Sequence, residues 1–166
     1  HDNNIYVYDT TAYKLLGKCS AHKSFVVSVD WSCDGKFIRS CCGAHELLFH
    51  NGETYKQHPS GASNTKDTEW ATAHAKFGWL VDGIFPAGTD GTHINGVSIS
   101  KDGQLIATGD DYGLVNIFRN PCRVGHTPIS LRGHSGHVVR AEFHRNDAYL
   151  FSVGGYDQTL MQFKRC

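Results

Sequence analysis

The sequence lacks long hydrophobic runs and any excess of charge of one sign. No stretch holds more than four consecutive hydrophobic residues, whereas a membrane-spanning helix needs about 20. Lys and Arg together number 16, as do Asp and Glu, so the basic excess that favours binding to nucleic acid phosphates is missing. We therefore expect neither a membrane nor a nucleic acid to be a partner.

Cysteine and helix signals are also sparse. Six cysteines in 166 residues include no CxxC pair, which is too few and too scattered for a disulfide framework. Reduced thiols in a cytoplasmic protein are the better interpretation. No long stretch repeats apolar residues at the spacing of an amphipathic helix. The 18 glycines and the short alternating segments instead predict strands joined by tight turns.

Three segments share one pattern of apolar positions. They begin at Ala21, Thr89 and Gly133 and read AHKSFVVSVDWSCDGKFI, TDGTHINGVSISKDGQLI and GHSGHVVRAEFHRNDAYL. Each predicts an apolar strand, a polar turn and a second apolar strand, and each is followed by a Gly-containing turn or loop and a third apolar strand. The opening HDNNIYVYD fits the position of a third strand without the two strands before it.

The spacing of these third strands identifies the repeat. The intervals are 42 residues from Tyr8 to His50, 68 from His50 to Phe118 and 45 from Phe118 to Phe163. Two of the three match the WD repeat of roughly 40–45 residues, which builds one four-stranded propeller blade. The pattern predicts an all-β, WD-repeat β-propeller fold. We place the last strand of a preceding blade at residues 1–9, a blade at 10–50, a blade with an extended loop at 51–118 and a final blade at 119–166.

About three blades and one strand make an incomplete propeller. A ring needs about four to eight blades, so the rest of its own propeller is expected to be missing from this chain. Because unclosed sheets expose strand edges and an apolar face, we expect residues 1–166 to be poorly soluble when expressed alone.

A buried hydrogen-bonded set is expected within the blades. WD blades join a His before the first strand to an Asp after the second, with a Ser or Thr on the second strand. The final blade offers His134, Ser152 and Asp157 for these positions. The first full blade keeps His22, but Ala44 occupies its predicted Asp position.

The stretch EWATAHAKFGWLVDGIFPAGTDGTHING, residues 69–96, resembles the EMAP-like (echinoderm microtubule-associated protein-like) family. Residues 106–122 and 133–163 are similar to that family's closing blades. The resemblance implies the C-terminal part of the second of two propellers. It also implies a non-catalytic structural or scaffold protein that binds tubulin or other axonemal proteins, on cytoplasmic microtubules or in the axoneme of a cilium or flagellum. A generic WD-repeat scaffold or adaptor that does not bind tubulin stays open as the alternative.

No catalytic residue, cofactor or metal site is expected. The sequence contains no GxSxG, HExxH or Walker-type phosphate loop. Several potential zinc ligands do lie within 18 residues of one another: Cys33, Cys41, Cys42, His45 and His50. Because Cys41 and Cys42 are adjacent on a predicted strand, their side chains point to opposite faces and cannot serve one ion.

Two surfaces are candidates for partner binding. The loops before each first strand and between second and third strands gather on one face, whose predicted members are Lys23, Phe25, Asp90, His93, Asp110, Asp111, Tyr112, His137 and Tyr156. The second candidate is a basic segment that carries Arg119, Arg123, Arg132, Arg140 and Arg145. Tyr is enriched in interface hot spots, so we favour the loop face over the basic segment. The alternatives are that the rings of Tyr112 and Tyr156 pack on the turn of a neighbouring blade and that the arginines form a solvated outer face.

The 68-residue interval needs its own interpretation. Residues 51–66 are rich in Gly, Ser and Asn and are predicted to form an exposed, mobile loop. Trp70 to Thr72, in the EWAT stretch, are predicted to form the outer strand of a blade.

Overall fold

A computed structural model describes residues 2–89, 91 and 93–166 of the chain. The described part is almost entirely β-structure and divides into two compact units, His1–Phe77 and Gly78–Cys166. None of its helices is long and apolar enough to cross a membrane.

The first unit contains two antiparallel sheets. The strands of the two-stranded sheet are β1 (Ile5–Tyr8) and β2 (Leu15–Cys19). The three-stranded sheet has the order β3 (Val26–Trp31), β4 (Phe37–Cys42) and β5 (Leu47–Asn51). Apolar side chains that alternate along the strands form the core, which contains Ile5, Val7, Cys19 and Ile38.

The second unit contains a four-stranded and a three-stranded antiparallel sheet. The first has the order β6 (Ile94–Ile99), β7 (Leu105–Asp110), β8 (Leu114–Arg119) and β9 (Ile129–Arg132). The second has the order β10 (Val138–Phe143), β11 (Tyr149–Gly154) and β12 (Leu160–Lys164). The two sheets pack closely, since a Cβ atom added at Gly109 would lie 2.6 Å from Cγ1 of Val138.

The three repeats fold with the same register. The first strand of each begins opposite the end of the second, in the pairs Val26–Cys42, Ile94–Asp110 and Val138–Gly154. Each first strand then has a register irregularity immediately after that pair. A bulge at one fixed position in all three sheets is a repeated structural feature. The all-β fold expected from the sequence, a partial propeller, is confirmed.

The 68-residue interval differs in one part from its prediction. Residues 51–66 are mostly exposed, as expected. Asn51 is the last residue of β5, Gln57 forms an isolated bridge with His50, and the rest is loop apart from a short helix, α1 (Gly61–Asn64). The prediction of an outer strand at Trp70 to Thr72 is wrong. Trp70 forms an isolated bridge with Ser32, and the amide of Ala71 donates to the carbonyl of Trp31 at 2.8 Å.

A buried carboxylate explains this placement. Asp30 on β3 accepts hydrogen bonds from the Thr72 hydroxyl at 2.6 Å and from the backbone amides of His74 and Ala75 at 2.9 and 3.0 Å. The Arg39 guanidinium donates to Asp30 at 2.9 Å and lies 4.2 Å from the centre of the Trp70 ring. These bonds hold the segment beside β3, whereas an outer strand would pair with β5.

Candidate functional site

The final three-stranded sheet carries a histidine network. His134 contacts the Ser152 hydroxyl through Nε2 at 2.7 Å and the Asp157 carboxylate through Nδ1 at 3.1 Å. The Thr159 hydroxyl lies 3.0 Å from Nδ1, and the amide of Ser135 donates to Asp157 at 3.0 Å. The structure thus brings together the three residues proposed from the sequence, and it adds Thr159. The network fixes the β11–β12 turn against the segment that precedes β10.

The pKa of Asp157 reflects these contacts. Burial alone would raise the pKa of Asp157, but the backbone amides of Ser135 and Thr159, together with the side chains of Thr159 and His134, lower it to about 2. Hydrogen bonds to the ionised form favour that form. The charged carboxylate is therefore a structural part of this sheet.

The contribution of Asp157 to stability is expected to depend on pH. Because its pKa is lower in the folded state than the ordinary value of 3.8, its contribution is fully present above about pH 4 and is lost as the pH falls towards 2. In the intact protein, Asp157→Asn should be less stable than wild type at pH 7, and the gap should shrink below pH 4. Denaturant titrations at pH 7, 5 and 3 measure this, with the exposed Asp67→Asn as control. A gap that stays constant from pH 7 to pH 3 would contradict the assignment.

The first unit carries a modified form of the network. His22 contacts the Ser40 hydroxyl through Nε2 at 2.6 Å, as His134 contacts Ser152. The carboxylate comes from Glu46, which lies 3.8 Å from Nδ1, and not from the predicted position at Ala44. Glu46 was not predicted from the sequence, although it is the one acidic residue between β4 and β5. Burial lowers the pKa of His22, while the charge of Glu46 opposes that shift.

The middle sheet uses a different arrangement. Thr108 takes the position of Ser40 and Ser152, since it pairs with Val97 on β6. Within the described part of the chain, its buried hydroxyl has no hydrogen-bond partner. Asp110 instead accepts bonds from the amides of Tyr112 and Leu114, both at 2.9 Å, and from the Asn116 side chain at 3.0 Å.

Two residues predicted for the partner face are therefore not available to a partner. Asp110 is buried and fully engaged with its own turn, and His93 is buried with its ring 5.8 Å from that of Tyr112. Sequence spacing placed them in loops but could not show that their side chains turn inward. Asp90, a further predicted member, lies outside the described residues.

The remaining predicted residues of the second unit form an exposed edge, here called the loop edge: Asp111, Tyr112, His137 and Tyr156. Tyr112 is 74% exposed and Tyr156 is 83% exposed. Hydrogen bonds connect the loops that carry them. Asn95 donates to both Asp111 and the carbonyl of Val138, at 2.8 and 3.0 Å, and the amide of Gly155 donates to the carbonyl of His137 at 3.0 Å.

In the first unit, Lys23 and Phe25 occupy the equivalent loop. Phe25 is half-exposed, and the Lys23 ammonium lies 3.6 Å from Glu46. Both side chains are accessible on the surface of that unit.

Comparisons with known proteins identify the family. The family model described as the second beta-propeller of echinoderm microtubule-associated protein matches residues 1–165. The chain belongs to this family. It is 63% identical over 165 residues to the ciliary WD repeat-containing protein ctxp80 of Euplotoides octocarinatus, covering 99% of this chain and 23% of that protein. It is 42% identical to the 77 kDa echinoderm microtubule-associated protein of Lytechinus variegatus, covering 98% of this chain and 25% of that protein.

A human protein extends the range of relatives. The chain is 40% identical over 169 residues to human echinoderm microtubule-associated protein-like 1, covering 99% of this chain and 21% of that protein. The chain thus spans about a quarter of the length of the relatives it matches.

The basic segment of this family member is not one patch. Arg119 and Arg132 lie at opposite ends of the β8–β9 pair, because Arg132 faces Leu114 and Arg119 is five residues further along β8. Five steps of about 3.3 Å separate them by about 17 Å. Arg123 lies 3.5 Å from Asp82, and Arg140 lies 3.1 Å from Glu142. The fifth member, Arg145, is exposed. The positive charges of this segment are therefore spread over separate places, and acidic neighbours neutralise two of them.

Proposed function

We propose that this chain is a non-catalytic propeller segment of a microtubule-associated protein and that it contacts tubulin through the loop edge. Relatives named as microtubule-associated proteins, aligned over nearly the whole chain, carry this proposal. The ciliary relative extends it to a cytoskeletal location in a cilium or flagellum. A WD-repeat adaptor that does not bind tubulin is the alternative.

The loop edge is favoured because it is both exposed and rigid. Tyr side chains supply a large contact area at a low cost in conformational entropy and are enriched in hot spots. The turns that carry Tyr112 and Tyr156 are fixed by the carboxylates of Asp110 and Asp157. A rigid surface loses little entropy when a partner binds.

Removal of both rings is expected to weaken microtubule binding. In the intact protein, Tyr112→Ala with Tyr156→Ala should raise the Kd in a microtubule co-sedimentation assay at least about tenfold, as loss of hot-spot residues does. Tyr13→Ala is the matched control, because Tyr13 is as exposed as Tyr156, at 83%, but lies in the first unit. Its Kd should equal that of wild type.

A charge-reversed variant separates the two candidate surfaces. Arg119, Arg123 and Arg132 are all changed to Glu, and melting temperatures are compared to exclude unfolding. Loss of microtubule binding in this variant alone would assign the binding surface to the arginines and not to the loop edge. Absence of microtubule binding in the wild-type protein would favour the adaptor alternative.

A further inference from the structure

Three side chains of types that can bind metals converge at the first-unit histidine network. The ligand atoms of His22, Cys42 and Glu46 all lie within 4.8 Å of one another. Cys42 Sγ is 3.4 Å from a carboxylate oxygen of Glu46, and His22 Nδ1 is 3.8 Å from the same oxygen. We propose that these residues form a binding site for Zn²⁺.

The orientation of His22 supports a ligand role. Its Nε2 is engaged by the Ser40 hydroxyl at 2.6 Å, which fixes the ring as the outer hydrogen bonds of metal-binding histidines do. Its side chain is fully buried, and Nδ1 has no hydrogen-bond partner among the residues that the structure describes. When Nε2 carries the proton and donates to Ser40, the lone pair of Nδ1 is free to bind a metal.

The third sheet gives an internal comparison. There the corresponding Nδ1 of His134 has Asp157 at 3.1 Å and Thr159 at 3.0 Å, so its hydrogen bonding is satisfied. The position of Cys42 is taken by Gly154, because the two residues pair with the first residues of β3 and β10 respectively. Compared with the third sheet, the first unit has the thiol of Cys42 in place of a glycine, and its histidine lacks the direct hydrogen bond from Nδ1 to a carboxylate.

The spacing and chemistry suit zinc. Tetrahedral Zn²⁺ with bonds of about 2.0–2.3 Å separates its ligand atoms by about 3.3–3.7 Å. Two of the three separations are close to this, at 3.4 and 3.8 Å, and the third, between His22 and Cys42, is within 4.8 Å. A thiolate and an imidazole favour Zn²⁺ over Mg²⁺ or Ca²⁺, which prefer oxygen ligands. The Glu46 side chain is 23% exposed, which leaves a path for the ion and for a water molecule as fourth ligand.

This site revises the expectation from the sequence. Cys41 and Cys42 are adjacent on β4 and cannot share an ion, but this site uses only Cys42. The other two ligands, His22 and Glu46, are outside the cluster of potential ligands predicted from the sequence and lie 24 residues apart. On binding, the Cys42 thiol loses its proton to solvent and the thiolate bonds to Zn²⁺.

Metal titration of the intact protein tests the proposal. The exposed Cys33 and Cys166 are first changed to Ser to remove accessible thiols. We expect Co²⁺ to give the absorption band of a cobalt–thiolate bond. In Cys42→Ala, the part of that band that corresponds to one equivalent of bound Co²⁺ should disappear. We expect Zn²⁺ to displace Co²⁺ and to raise the melting temperature of the parent protein but not of this variant. Cys41→Ala is the matched control, because it removes the adjacent buried thiol and should retain the site.

A second variant covers the case in which Cys42→Ala fails to fold. Glu46→Gln keeps the shape of a partly exposed side chain and should weaken Co²⁺ binding at least about tenfold. The proposal is overturned if the parent protein binds no Co²⁺ through thiolate. It is also overturned if Cys42→Ala gives the same absorption as the parent, or if Glu46→Gln leaves the affinity unchanged.

Discussion

Replacing Asp30 with alanine is expected to lower the free energy of unfolding of the intact protein by about 3–5 kcal/mol. Asp30 is buried and accepts bonds from Arg39, the Thr72 hydroxyl and two backbone amides. Its removal leaves the guanidinium of Arg39, whose side chain is only 14% exposed, without its buried partner. It also releases the segment that includes Trp70 from β3.

Denaturant titration measures the loss, and hydrogen exchange at residues 70–77 reports release of the segment. Asp34→Ala is the matched control. Asp34 is exposed and, among the residues that the structure describes, bonds within its own turn to Ser32 and Lys36, so its loss should change the free energy of unfolding much less than the loss of Asp30. Equal effects of the two substitutions would contradict the role given to Asp30.

Ile106→Ala is expected to destabilise the second unit by about 2–5 kcal/mol. Ile106 is fully buried on β7 and packs in a cluster with Ile84, Val97 and Phe118. Its truncation removes apolar contacts and leaves a cavity that the surrounding strands cannot fill completely.

Thermal and denaturant unfolding of the intact protein measure this effect. Leu160→Ala is the control because Leu160 is 69% exposed on β12. It should change the unfolding free energy by less than about 0.5 kcal/mol. A loss at Leu160 as large as that at Ile106 would show that the core has been placed incorrectly.

The repeats could be predicted from the sequence because each depends on local patterns. Alternating apolar residues define the strands, and turns such as that at Gly35, whose φ is +71°, need residues that the sequence shows directly. The similar spacing of the third strands then shows which strands of the repeats correspond to one another. Local patterns do not predict contacts between residues that are far apart in the sequence. The position of Trp70 depends on Asp30, which lies 40 residues earlier.

The candidate site was predictable only in part, for a similar reason. The sequence places His93 and Asp110 in turns, but their burial depends on packing within the second unit. Glu46 replaces the predicted Asp from a position two residues beyond Ala44, because a longer side chain reaches the histidine from there. By contrast, Tyr112 and Tyr156 were predicted at exposed turns, and both are exposed in the structure.

Site-specific photo-cross-linking on microtubules tests the central proposal most directly. A photoreactive phenylalanine analogue replaces Tyr112, Tyr156, Tyr13 or Arg119, one at a time, in the intact protein. We expect cross-links to tubulin from positions 112 and 156 and none from position 13 in the first unit or position 119 at the far end of β8. A protein that co-sediments with microtubules but cross-links to tubulin only from position 119, or from none of the four, would contradict the assignment of the loop edge.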